Sequence, residues 1–363
     1  MGRFRLRRLL FLFSVLSLLG VCVTVYVMNW EVKPSEPSSL QTSPLFTSFK
    51  SAVLELSRRW INLLTVKKFN REWVNPSPEF IEPVPETEKF VLILIISAPS
   101  NLEQRYAIRQ TWLSVFINYS VAQDHSNVRI LKDPINSTNN LLIQYFFVCG
   151  HSHEQEVETV VKSENMIHGD ILRLNFTESY SLLVQKTLNS LRFASAVNVK
   201  FVVKVDDDVY LDIRRMVWRL QTTSLPDMLF GGTLLYNSPA IRDPGHKYFI
   251  SYEDFNGTSY PVYPNGPFYI MSKKVVLEFL NASKNIRSFK MEDAYLGVLA
   301  KHLGIVPTQL DGEGTLIRLW LPRLERTWDD AALNATFAVG DSLSPERLFA
   351  FHERYLKLET GFN

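Results

Sequence analysis

Cysteine is nearly absent: the chain has two, Cys22 and Cys149, in 363 residues. Cys22 lies inside an apolar run, so no disulfide framework can staple a soluble domain, and Cys149 is expected to be free unless it pairs between chains. Charge of one sign is also lacking. The formal net charge is +2, and Arg3, Arg5, Arg7 and Arg8 supply several of the positive charges, which leaves no basic stripe and excludes nucleic acid as a partner. No internal repeat is present. What remains is ordinary for a folded chain, 46% hydrophobic and 21% charged, which excludes a wholly disordered one.

The longest uncharged stretch sets the expected compartment. Leu9 to Met28 is 20 residues without a charge, about 30 Å as a helix and enough for a bilayer core. Four arginines precede it, against Glu31 and Lys33 just after. That asymmetry predicts a cytoplasmic tail at residues 1–8, a signal-anchor span at 9–28 and everything beyond on the lumenal side, a single-pass type II arrangement. A cleaved signal peptide would have a shorter apolar region and a small-residue cleavage site. Six N-x-[ST] sequons, at Asn118, Asn136, Asn175, Asn256, Asn281 and Asn334, all follow the span; they favour a secretory lumen.

Residues 29–88 read as a stem. Val32 to Pro44 is rich in Pro and Ser, Val53, Leu56, Trp60 and Leu63 fall at helical spacing, and Pro76, Pro78, Pro83 and Pro85 break the chain again. The short amphipathic helix around Trp60 can pack on its own domain or on a second copy, as a homodimer would need. From residue 89 to 363, short apolar runs (Phe90–Ile96, Leu142–Val148, Ile171–Leu174, Phe201–Val205, Met228–Gly232) alternate with longer amphipathic stretches. This pattern predicts one α/β domain, a mainly parallel sheet covered by helices on both faces.

One strand end concentrates negative charge. Phe201-Val-Val-Lys-Val runs into Asp206, Asp207 and Asp208, three like charges that need compensation, most simply a divalent cation. Alternation turns Asp206 and Asp208 one way and Asp207 the other. The plainer reading is an acidic turn capping a helix over Ile213–Gln221. A second acidic pair, Glu292-Asp293, opens an expected helix reaching Ala300, where the helix dipole favours carboxylates. Arg105 and Arg109 share a helix face, available to phosphate or to an acidic partner. Tyr260 to Gly266 reads as a loop stiffened by Pro261 and Pro264, with Gly266 allowing close approach. Trp112 reads as core, and His352 as either a metal ligand or a packing residue. The acidic strand end also suits the nucleophile loop of haloacid-dehalogenase-type phosphatases, but Gly340-Asp341 lacks the second acidic residue their metal site requires.

Several of these segments together resemble the β1,3-galactosyltransferase and β1,3-N-acetylglucosaminyltransferase family, glycosyltransferase family 31, with the more distant Fringe enzymes. The matching segments are Arg105-Tyr-Ala-Ile-Arg-Gln-Thr-Trp112, Asn175-Phe-Thr-Glu-Ser-Tyr180 through Lys186-Thr187, Lys204-Val-Asp-Asp-Asp208, Tyr260-Pro-Val-Tyr-Pro-Asn-Gly266 and Glu292-Asp-Ala-Tyr-Leu-Gly297, in that order. The resemblance implies a GT-A fold, a UDP-sugar donor such as UDP-galactose or UDP-N-acetylglucosamine, Mn²⁺ or another divalent cation, a glycan acceptor on protein or lipid, inversion in β1,3 linkage and a Golgi membrane location. It implies Asp293 as catalytic base and Asp208 and His352 as metal ligands. Arg105, Arg109, Asp206, Asp207, Gly266 and Glu292 would then line the donor and its surroundings. Asn265 and Val298 stand where many relatives carry cysteine, Asn175 where Asp is common, and Pro267-Phe268 where small residues are usual. The other reading of such a chain is a catalytically silent lumenal sugar-nucleotide or glycan-binding protein of the same fold.

Overall fold

The computed structural model describes residues 88–116, 127–136, 139–311, 317–318, 330–340 and 342–360. The expected tail, span at 9–28 and stem lie outside these residues. Among the described residues no helix is long and apolar enough to cross a membrane.

In chain order the elements are β1 (Lys89–Ile96), α1 (Leu102–Gln110), β2 (Val128–Lys132), β3 (Asn140–His151), α2 (Gln155–His168), β4 (Ile171–Thr177), α3 (Leu183–Ala196), β5 (Val199–Asp206) and β6 (Tyr210–Leu211). There follow α4 (Ile213–Thr222), β7 (Phe230–Leu235), β8 (Tyr263–Ser272), α5 (Lys273–Ala282), α6 (Glu292–Leu303), β9 (Thr308–Gln309), β10 (Ile317–Arg318), α7 (Asp330–Asn334), β11 (Ala338–Val339) and α8 (Pro345–Thr360).

The main sheet runs β2-β3-β1-β5-β8-β7-β9, with β4 also paired to β3. Side-chain alternation along β1 separates two cores. Val91, Ile93 and Ile95 join Ala107 and Ile108 of α1, Val161 of α2 and Met216 and Val217 of α4. Leu92, Leu94 and Ile96 join Leu188 and Leu191 of α3, Val275 and Phe279 of α5 and Leu296 and Leu299 of α6. A strand buried on both faces needs a continuous apolar run, and each such side chain contributes about 1.5–3 kcal/mol by leaving water.

Strands β4, β3, β1 and β5 are mutually parallel, as the apolar runs predict. Beyond β5 the sheet changes character. β8 runs antiparallel to both β5 and β7, and sequence reading missed it, because Pro264 and Pro267 disqualify a central strand. The structure accommodates Pro264 at an irregularity, where the β7–β8 register shifts between Gly232 and Leu234. Tyr263 to Gly266 is therefore the start of a strand rather than a loop. A second sheet orders β10-β11-β6.

The topology fixes where a ligand can enter. After β1 the chain goes to β3 on one side, and it returns through α3 to β5 on the other, so the connections leaving β1 and β5 part at their carboxyl ends. That is the position at which open α/β sheets bind ligands.

Candidate active site

Ile96 and Asp206 are register partners at the ends of β1 and β5, and the Asp207 N–H donates to Ile96 O at 3.2 Å. The three aspartates then diverge. Asp206 Oδ1 lies 2.6 Å from Lys204 Nζ. Asp207 Oδ2 accepts from Asn101 Nδ2 at 3.0 Å, bridging the crevice to the loop after β1. Asp208 Oδ2 accepts the Ser342 N–H at 3.0 Å, while its Oδ1 is buried with no hydrogen-bond partner among the described residues.

Lys204 is the hub that organises the site, and sequence reading left it without a role. Alternation along β5 points it with Val202 into the core beneath α6. There Nζ meets Asp206, Glu292 Oε1 at 3.2 Å and the Gly266 carbonyl, with the Tyr269 ring 5.5 Å away. A lysine inside an apolar strand must find carboxylates, and that was the signal available in Val203-Lys-Val205. Burial alone would lower its pKa; Asp206 and Glu292 instead hold it above the ordinary value.

Gly266 and Asp293 form the other half. The Gly266 N–H donates to Asp293 Oδ2 at 3.1 Å, and the Ala294 N–H to Oδ1 at 2.8 Å. A Cβ at position 266 would stand 3.1 Å from Asp293 Oδ2, so the expected close approach is to this carboxylate. Glu292 and Asp293 occupy the first turn of α6. Burial pushes the Glu292 carboxyl up to about 8, with Lys204 opposing and Asp293 and Asp206 reinforcing. Burial also raises Asp293, which its two N–H donors and Lys204 counteract. Asp208 is pushed up to about 6 by burial and by the neighbouring Asp206, and burial raises Asp206 and Asp207 as well.

The expected role of the two arginines changes. Arg105 is fully buried and ion-paired to Glu164 at 2.7 Å, donating also to Ser97 Oγ and to the carbonyls of Ala98 and Pro99. Arg109 grips Asp170 and Glu164, both at 2.7 Å. Of the two partners weighed for these arginines, the acidic one is present, and their donors are spent inside the fold. His352 Nδ1 is 3.0 Å from Tyr210 Oη, in a surface depression lined by Trp112, Tyr210, Asp212, Arg214 and Tyr355. Among the described residues no group of three or more His, Cys, Asp or Glu side chains is poised to hold a metal. Trp112 is core, at 2% exposure, and Cys149 is a buried free thiol whose pKa burial pushes up to about 11.

The donor chemistry at the strand end nonetheless suits a hard divalent cation. Asp206 and Asp208 present carboxylate oxygens, the ligands Mg²⁺ and Mn²⁺ prefer, and Asp208 Oδ1 is a buried acceptor with no hydrogen-bond donor among the described residues.

A family model described as galactosyltransferase matches residues 103–311. A mouse acetylgalactosaminyl-O-glycosyl-glycoprotein beta-1,3-N-acetylglucosaminyltransferase is 26% identical over 231 residues, 61% of this chain and 54% of that protein. Human beta-1,3-galactosyltransferase 5 is 27% identical over 232 residues, covering 63% and 68%. Mouse UDP-GalNAc:beta-1,3-N-acetylgalactosaminyltransferase 1 is 29% identical over 216 residues, covering 58% and 59%. The matched region thus spans little more than half to two thirds of the length of these relatives. Because the matched region takes in more than half of the chain, including the strand end at Asp206–Asp208, Gly266 and the Glu292-Asp293 pair, the chain belongs to the galactosyltransferase family.

Proposed function

We propose that the chain is an inverting β1,3-glycosyltransferase that moves galactose, or N-acetylglucosamine, from a UDP donor onto a glycan hydroxyl. The observation that carries this reading is the Asp293 carboxylate, fixed by the Gly266 N–H and linked through Gly266 and Lys204 to the acidic end of β5. Single displacement at an anomeric carbon needs a base opposite the leaving group. The acceptor oxygen forms its bond to that carbon, the bond to the β-phosphate oxygen breaks, UDP departs and the hydroxyl proton passes to Asp293.

The environment separates the two carboxylates of α6. Burial raises both carboxyls, Glu292 to about 8, while at Asp293 two N–H donors oppose the shift and favour the ionised form; that difference would make Asp293 the base of the pair. Lys204 keeps Asp206 and Glu292 in place. Asp206 and Asp208 would hold a divalent cation, whose charge stabilises the departing diphosphate. The relatives' names divide among galactosyl, N-acetylglucosaminyl and N-acetylgalactosaminyl transfer, so the family supports the linkage more strongly than the sugar. A Golgi-lumenal location behind a span at 9–28 completes the proposal; it is supported by the sequence asymmetry and by the exposure of Asn136, Asn175, Asn256 and Asn281.

The test is UDP release by the full chain in detergent, with Mn²⁺, across a panel of UDP-sugars with and without a mixed glycan acceptor pool. Release that requires metal, one donor and an acceptor is expected. Asp293→Asn should bind UDP normally yet lose at least about 10²–10³-fold in transfer. No release with any pair, despite UDP binding, would establish a silent binding protein instead.

A further inference from the structure

Residues 236–262, between β7 and β8, form an excursion that the transfer chemistry above does not use. It is ordered by one arginine. Arg242 donates to the carbonyls of Ile250, Phe255 and Gly257 at 2.8, 2.7 and 2.6 Å, and its guanidinium lies 4.0 Å from the Tyr252 ring centre. Two isolated bridges, Pro239–Ser259 and Ile241–Phe249, tie the two limbs together.

This arm docks on the segment that leads into the base. Phe289 packs against Phe255 and stacks on Tyr260, each with ring centres 5.7 Å apart, and Lys290 Nζ donates to Lys247 O at 3.1 Å. Asp293 is three residues further along. At the arm's tip Lys247 Nζ lies 5.0 Å from the Tyr180 ring and 5.2 Å from the Tyr248 ring. Tyr180 and Tyr248 are 48% and 46% exposed, so two half-open phenol rings flank one ammonium. The same field reaches the base: burial pushes the Tyr180 phenol up to about 12, and Tyr248, Asp293, Glu292 and Asp206 all add to the shift.

We propose that Tyr180, Lys247 and Tyr248 form the shelf that receives the acceptor glycan, and that Arg242 is the positioning residue that sets the arm carrying it. A pyranose offers an apolar C–H face and a rim of hydroxyls, which matches aromatic faces with polar tips and an ammonium between them. The cation–π contacts cost the free lysine little to exchange for hydroxyls, since exposed pairs of this kind are weak. The inference depends on the transfer reading for the identity of the reaction, but glycan binding at the shelf can be read without turnover.

Two measurements on the full chain in detergent decide it. The first is steady-state kinetics with p-nitrophenyl β-galactoside, β-N-acetylglucosaminide and α-N-acetylgalactosaminide as acceptors. Tyr248→Ala and Arg242→Ala should raise the acceptor KM about tenfold with the donor KM within twofold, Arg242→Lys should recover part of the loss, and Trp218→Ala, which removes an exposed ring from α4, should change neither. The second is limited trypsin digestion after Lys247. A saturating glycoside should slow that cleavage several-fold in the natural chain and not in Tyr248→Ala. Unchanged acceptor KM in Tyr248→Ala, or cleavage indifferent to all three glycosides, overturns the shelf even if transfer is established. Protection without UDP release would retain the shelf and remove the transferase reading.

Discussion

Two buried charge clusters sit at the same end of the sheet, and they are built on opposite rules. Around Arg105 and Arg109, two guanidinium groups meet Glu164 and Asp170, with the donors of Arg105 also distributed over Ser97, Ala98 and Pro99. Around Lys204, a single ammonium holds Asp206 and Glu292, with Asp208 and Asp293 close behind and one Asp208 oxygen without a hydrogen-bond partner among the described residues. The first cluster balances and is structure. The second has more carboxylates than cationic partners, an excess that the proposed divalent cation would relieve.

Removing a charge from the balanced cluster should therefore have the largest effect on stability. Arg105→Met leaves Glu164 without its principal partner in a buried site, a change that costs about 3–5 kcal/mol. Urea or thermal unfolding should show the loss with or without Mn²⁺. A loss under about 1 kcal/mol would mean that the pair is relaxed by water and that the two clusters do not differ as described.

The same operation on the surplus cluster should have the opposite sign. Asp208→Asn keeps an acceptor for the Ser342 N–H while removing one of the crowded negative charges. The metal-free chain should gain about 0.5–2 kcal/mol, as substitutions that relieve a strained functional site commonly do. It should also lose most of the melting-temperature rise that Mn²⁺ gives the natural chain. Destabilisation of the metal-free protein by this change would show that Asp208 is held by the fold for the fold's sake.

The contrast also explains what could be read from the residues alone. The apolar runs announced β1, β3, β4, β5 and β7 because strands buried on both faces leave no other signature, and the helices opening at Ile213 and Glu292 begin where expected. β8 was hidden by Pro264 and Pro267, whose tolerance depends on a register shift with β7 that no local pattern encodes. Asp206, Asp208 and Asp293 stood out as clustered charge. Arg105 and Arg109 had the right spacing, but their partners, Glu164 and Asp170, lie more than fifty residues away in sequence and become visible only once α2 and β4 are in place. His352 comes from the resemblance alone, and in the fold its Nδ1 faces Tyr210 Oη. Lys204 was legible as a lysine in an apolar strand, although its dual contact with Asp206 and Glu292 required α6.

The smallest effect is a difference in pH dependence, and the signs follow from the shifts. Glu164 is held below its ordinary range: burial would raise it, but Arg105 and Arg109 prevail. Its contribution is present above about 4.5 and is lost as pH falls through its folded value. Glu292 and Asp208 are shifted the other way, to about 8 and about 6. Their folded forms bind protons more tightly than the unfolded chain, so stability is full below their ordinary values and declines as pH rises through 6 and then 8. In EDTA the natural chain should therefore melt highest in mildly acidic buffer, and its melting temperature should fall as pH is raised from 6 to 8. Glu292→Gln removes the group that titrates last and should flatten that limb while leaving the acid limb, set by Glu164, where it was. An unchanged slope between pH 6 and 8 in Glu292→Gln would mean that Lys204 keeps Glu292 ionised throughout, and the division of acid and base roles within α6 would have to be abandoned.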